Sequence, residues 1–163
     1  MKVKKPSIES LTIRVLATGS FAVENYVDME LTLPRATALS LYSEGWVSEP
    51  IEIDLQGAEL TFVVPSYVTD VKGAGSEWLA LHKKMEETYY RLIRAGVSRT
   101  EAQVCLDGYI STRVGMMISL QKYRDKENEL KKILGEDFCK MISERIEKGN
   151  WTISRRPEKA FLI

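Results

Sequence analysis

The chain has 163 residues, with 23 Lys or Arg and 23 Asp or Glu, so its formal charge is zero. That length suits a single domain spanning 1–163 with a sizeable core, and the balance argues against nucleic acid as a partner, because it lacks the basic excess of a dedicated binder. No stretch approaches the roughly 18 apolar residues of a membrane helix, residues 1–30 lack a signal peptide's apolar run, and Cys105 and Cys139 stand in no CxxC motif. The expectation is a cytoplasmic protein with buried free thiols and no membrane association.

In chain order, Met1 to Lys5 reads as a basic, frayed start. Leu11, Ile13 and Val15 alternate with Thr12 and Arg14, the period of a half-buried strand. After Thr18-Gly19-Ser20, Val27, Met29, Leu31 and Leu33 alternate with Tyr26, Asp28, Glu30 and Thr32, predicting a second strand with one wet face. Pro34 ends it and suits the first turn of a short helix that runs to Gly45. Ile51, Ile53 and Leu55 alternate again, and Gln56-Gly57 is a candidate hairpin turn that would set Ile53 opposite Leu60 and Ile51 opposite Phe62.

Pro65 closes that strand, and residues 76–149 read as helical. Ser76 can cap the first long helix, with Glu77 in its positive first turn. Trp78, Leu81, Met85, Tyr89, Leu92 and Ile93 then recur at three- and four-residue steps as one apolar stripe. Gly96 can take the left-handed conformation that ends this helix. Ser98-Arg99-Thr100-Glu101 has the form of a capping box for the next one. Leu106, Ile110, Val114, Met117, Ile118 and Leu120 extend that helix, although Gly108 and Gly115 each cost it about 1 kcal/mol.

The highly charged stretch from Arg124 to Lys132 follows, then Gly135 and an amphipathic helix built on Phe138, Met141, Ile142 and Ile146 that stops at Gly149. Trp151-Thr152-Ile153 either returns to the sheet or packs on the helices. The order of elements argues for an α+β fold: a mainly antiparallel sheet of about four strands, contributed by residues 1–65 together with one short helix, and a helical C-terminal half packed on it.

Residues 1–75 carry 6 basic and 10 acidic side chains and residues 76–163 carry 17 and 13, a split that permits an anion site on the second half and equally fits a solvated surface. His82 and Glu86 share a helix face at metal-ligand spacing, but with no third ligand in view they read as a surface hydrogen-bonded pair, and no metal is implied. Gly73-Ala74-Gly75-Ser76 lacks the Lys and the spacing of a phosphate loop. Tyr89-Tyr90 with Arg91 and Arg94 could stack on bases, although Tyr89 lies on the apolar stripe. Gln103, Asp107, Ser111, Thr112, Arg113, Ser119 and Gln121 form a polar cluster between apolar positions. Arg113, at the margin of the stripe, would need an acidic partner or an anionic ligand if partly buried.

At this cluster the sequence resembles the flavin-dependent thymidylate synthase family. The run from Thr88 to Ala102, then Leu106 and Thr112-Arg113, is similar to the helix-Gly-Val-helix stretch that precedes that family's nucleotide- and flavin-binding helix. Glu24-Asn25, the strand ending at Pro34, the helix after it, Phe62-Val63-Val64-Pro65 and Trp151-Thr152 have counterparts in the same order, so the resemblance spans about residues 19–152.

The signature Arg-His-Arg…Ser…Arg-Tyr is missing, and residues 35–46 offer only Arg35, Ser40 and Glu44 in its place. Asn25 stands where the family has a flavin-contacting histidine, Gln103 where it has an arginine, and Ser119 and Gln121 where it has an Asn-x-Arg pair. The resemblance thus implies a divergent member, catalytically degenerate, that self-associates as a homo-oligomer and retains a nucleotide or flavin (FAD) near Asn25, Ser40, Arg113, Ser119 and Gln121, with Glu44 and Gln103 toward the substrate. A different class of function, a non-catalytic interaction module acting through the helical half, fits the thin catalytic inventory.

Overall fold

The structure is a computed structural model that describes residues 1–18, 22–47, 59–65, 67–149 and 151–153. In chain order its elements are β1 (Lys2–Lys4), β2 (Ser7–Thr18), β3 (Ala22–Pro34), α1 (Arg35–Ser43), β4 (Thr61–Val63), α2 (Tyr67–Asp70), α3 (Ala74–Arg94) and α4 (Arg99–Ala102), with a 3-10 turn at Gln103–Cys105. β5 (Ser111–Ser119), α5 (Leu120–Asp125), α6 (Glu127–Leu134), α7 (Glu136–Lys148) and β6 (Trp151–Ile153) complete them. The class is α+β, with a four-stranded sheet in the order β5-β3-β2-β6 and a separate pair, β1-β4. Strands β5, β3 and β2 run antiparallel, whereas β6 lies parallel to β2 with Ile13 opposite Trp151. The hairpin read at Gln56-Gly57 lies outside the described residues.

The chain divides into two compact units, the first from Met1–Ser7, Thr32–Leu39 and Ile51–Arg113, the second from Ile8–Leu31, Ser40–Pro50 and Val114–Ile163. In the first, α3 presents Trp78 and Tyr89 to a core completed by Leu60, Phe62, Ala102, Leu106 and Ile110. Fully burying a ring such as Phe62, which has no exposed surface, is worth about 1.5–3 kcal/mol. The residues read as a frayed start form β1, because Val3 pairs with Phe62 and the backbone at Lys2 and Lys4 bonds to Leu60 and Val64. Helix α3 begins behind Gly73, two residues before the expected cap, and the Ser76 hydroxyl donates back to the Gly73 carbonyl at 2.9 Å. Its buried stripe also differs: Leu81 is exposed, and His82 takes the inward position.

The joint after α3 forms as its sequence requires. Gly96 has φ +90°, a backbone that favours glycine, and Ser98 and Glu101 make the reciprocal bonds of a capping box. The long helix expected beyond it does not form. The chain leaves helix at Cys105 and enters β5, in which Thr112, Val114, Met116 and Ile118 are buried while Arg113, Gly115 and Met117 are exposed. Two periods are superimposed in this stretch, and the strand wins because Thr112, Val114, Met116 and Ile118, three of them apolar and three β-branched, supply one inward face. Gly108 is excluded from any larger side chain: a Cβ there would fall 2.7 Å from the Cβ of Ala36, at the start of α1, whose amide donates to the Gly108 carbonyl at 2.9 Å.

In the second unit, β3 buries Val27, Met29 and Leu31, and β2 buries Leu11 and Ile13, as their alternation predicts. Helices α5 to α7 follow one another in contact. Tyr123 anchors α5 to α7, its hydroxyl 2.8 Å from Ser143 Oγ and donating to the Cys139 carbonyl at 3.2 Å. Burial pushes the Tyr123 hydroxyl up to about 12 and the Cys139 thiol up to about 11. Both cysteines are free thiols, Cys139 buried and Cys105 half-buried.

Candidate functional site

The second unit carries an open groove of about 630 Å³ on its sheet. Strand alternation builds the floor. Glu24, Tyr26 and Asp28 are successive outward positions of β3, and Gly115, Met117 and Ser119 are successive outward positions of the neighbouring β5. The segment Gly45-Trp46-Val47, which follows α1, and Lys122 on α5 add to the lining. Gly45 has φ +76°, and the Trp46 amide donates to the Leu41 carbonyl at 2.9 Å, which turns the chain so that the indole is buried.

Three polar arrangements set the groove's chemistry. The Tyr26 hydroxyl donates to Glu24 Oε2 at 2.8 Å. Asp28 is paired with Arg14 of β2 at 2.7 Å. The Lys122 ammonium stands 5.1 Å from the centre of the Trp46 ring, a cation–π distance. The Ser119 hydroxyl is committed to helix capping, since it accepts from the Lys122 amide at 3.1 Å. Gly115 leaves a bare patch: a Cβ built there meets nothing within 4 Å.

Of the seven residues singled out from sequence, Ser119 lines this groove. Asn25 and Glu44 are chain neighbours of lining residues, but alternation turns Asn25 toward the face of Val27 and Met29, and Glu44 is exposed beyond α1. Ser40 is exposed on α1. Gln121 is exposed on α5 and donates to Asp125 at 2.8 Å. Gln103 and Arg113 belong to the first unit, Gln103 half-buried in the 3-10 turn and Arg113 exposed on β5. The polar cluster therefore lies on a turn, a strand and a short helix rather than along one helix. Glu24, Tyr26, Trp46 and Lys122 were missed as a group. Their signal was present in part, since Tyr26 and Asp28 were read as the wet face of β3, but the approach of β5 to that strand was not.

The first unit holds a second polar centre, closed where the groove is open. His82 is 1% exposed and stacks on Trp78 at a centroid distance of 3.8 Å, with Phe62 edge-on at 4.8 Å. Its Nδ1 lies 2.7 Å from the Trp78 carbonyl. Its Nε2 lies 2.8 Å from Asp107 Oδ2, a close contact that lacks the alignment of a directed hydrogen bond. Asp107 also accepts from the Tyr109 amide at 2.9 Å. The expected surface pair with Glu86 is thus corrected: His82 turns inward, and Glu86 accepts from the Leu60 amide at 3.2 Å. With both nitrogens facing acceptors inside an aromatic box, His82 fastens the 103–110 segment to α3.

Among the described residues, no group of three or more His, Cys, Asp or Glu is arranged to hold a metal ion, and no helix is long and apolar enough to cross a membrane. No family model matches this chain, and no curated protein matches it.

Proposed function

We propose that this chain is a divergent, flavin-dependent-thymidylate-synthase-like protein that has lost the family's chemistry and serves as a binder of a nucleotide or flavin ring, seated in the groove of the second unit. The observation that carries this reading is the groove itself. Ser119, where the resemblance has an Asn-x-Arg pair, lines a cleft furnished with a phenol, a thioether and one ammonium set over a buried indole, side chains that suit a planar ring. The loss of chemistry follows from Asn25, Gln103, Ser119 and Gln121, neutral where the resemblance places functional groups. Self-association and a cytoplasmic location belong to the same reading.

Bound flavin gives purified protein a yellow absorbance, and a flavin or a uracil nucleoside or nucleotide raises its melting temperature. A colourless protein whose melting temperature is unmoved by riboflavin, FAD, uridine or dUMP at up to millimolar concentration sinks the ligand-binding reading. Light scattering tests self-association. A second reading, the interaction module, is favoured by the apolar surface of the first unit, where Leu81 is 53% and Val104 85% exposed. It predicts capture of a partner protein that Leu81→Asp or Val104→Asp abolishes, with no small-molecule thermal shift.

A further inference from the structure

We infer that the groove of the second unit takes a planar heteroaromatic ring with N–H donors and no phosphate, laid over Gly115 and discriminated from its phosphorylated forms by Glu24. This rests on the proposed ring-binding reading and narrows it to one chemical class.

The shape argument starts from β5. A nine-residue strand gains from β-branched residues at outward positions, and Gly weakens a strand interior by offering no side chain to pack. Glycine at 115 is not required by crowding, because a Cβ there has open space around it. Its consequence is a flat stretch of backbone, with Met117 of the same strand exposed beside it. A planar ring can lie on that backbone at van der Waals distance. Any branched side chain at 115 would occupy the same volume.

The charge argument selects the ring's substituents. Lys122 is the one cation among the described lining residues, and its ammonium is drawn over the Trp46 face. Two carboxylates, Glu24 and Asp28, share the groove, and Arg14 offsets Asp28. A phosphate dianion entering this cleft would meet a single ammonium and the charge of Glu24. A ring N–H meets in Glu24 an acceptor already oriented by the Tyr26 hydroxyl.

The test uses the full chain and two pairs of probes that differ only in a phosphate, riboflavin against FMN and uridine against UMP, titrated by equilibrium dialysis. The unphosphorylated member of at least one pair is expected to bind tenfold or more tightly than its partner. Glu24→Gln, a change at an exposed side chain, is expected to narrow that gap at least threefold, and Gly115→Val to abolish binding while the circular dichroism spectrum stays unchanged. Equal or tighter binding of FMN and UMP overturns the inference and leaves the ring-binding reading standing. An unchanged gap in Glu24→Gln overturns the role of that carboxylate, and full binding by a folded Gly115→Val overturns the seat over β5. Should Gly115→Val fail to fold, Gly115→Ser is the replacement, with at least a fivefold loss expected. No binding of any of the four probes at millimolar concentration removes both the inference and the reading beneath it.

Discussion

Gly108 and Gly115 lie seven positions apart in the chain, and the structure uses them in opposite ways. At Gly108 the missing side chain is spent on packing: Ala36 fills the space, and two amides of α1, those of Arg35 and Ala36, bond to the carbonyls of Ile110 and Gly108. At Gly115 the space is left unfilled on an exposed strand face. The same contrast holds for polar groups. His82 is held in a shielded aromatic box against a partly exposed Asp107, whereas Glu24, Tyr26 and Lys122 line an open groove. Absence of a side chain therefore marks architecture in one place and a candidate binding surface in the other, and only the surroundings tell them apart.

The largest effect that would sharpen this contrast is expected at the closed centre. Phe62→Ala removes a ring with no exposed surface and should cost about 3–5 kcal/mol in urea denaturation. A loss below about 1 kcal/mol would mean that the first unit's core does not depend on it. Next comes Gly108→Ala, whose Cβ has no room. Overpacking against backbone and a short side chain should cost about 1–3 kcal/mol.

Asp107→Ala leaves a shielded imidazole facing an empty position and should cost about 1–3 kcal/mol in the same assay. Asp107→Asn, which keeps an acceptor, should recover part of that loss. At the small end, Gly115→Val, which gives β5 a β-branched residue at an open outward position, should stabilise the fold by up to about 1 kcal/mol. If Gly115→Val proved as costly as Gly108→Ala, the distinction between the two glycines would fail.

A pH series probes burial in the second unit. Burial pushes the folded Tyr123 hydroxyl and Cys139 thiol up to about 12 and about 11, above their ordinary values of 10 and 9. The folded state thus holds these protons more tightly than the unfolded chain. Their contribution to stability is complete below pH 9 and is lost as the pH rises through 11 and 12. Urea midpoints should fall across that window, and Tyr123→Phe should flatten the decline. A midpoint independent of pH there would contradict burial of the pair.

What was legible in the sequence was local. Alternation at residues 27–33, the Gly96 turn and the Ser98–Glu101 box depend on a few adjacent residues, and each formed as read. Residues 106–120 were misread because Leu106, Ile110, Val114 and Ile118 fit helical spacing while Val114, Met116 and Ile118 fit a strand; the strand gains its partner in β3, which no local window contains. His82 was misread for the same reason. Its burial is decided by Asp107 and Phe62, residues distant in the chain. Of the candidate site, Ser119 and the wet face of β3 were visible, while Trp46 and Lys122 met only through the tertiary structure.

The parallel pairing of β6 with β2, which sets Trp151 beside Ile13, bears on the order in which a nascent chain can fold. A parallel partner cannot be reached by a tight turn, and here nearly the whole described chain lies between the two strands. During synthesis β2 and β3 emerge before β6 and can pair with each other first, but β2 must wait for β6 until almost all of the intervening sequence has left the ribosome. Its second edge stays available through that interval to any other strand that meets it, which makes β2 the segment to watch for chaperone engagement or misassembly.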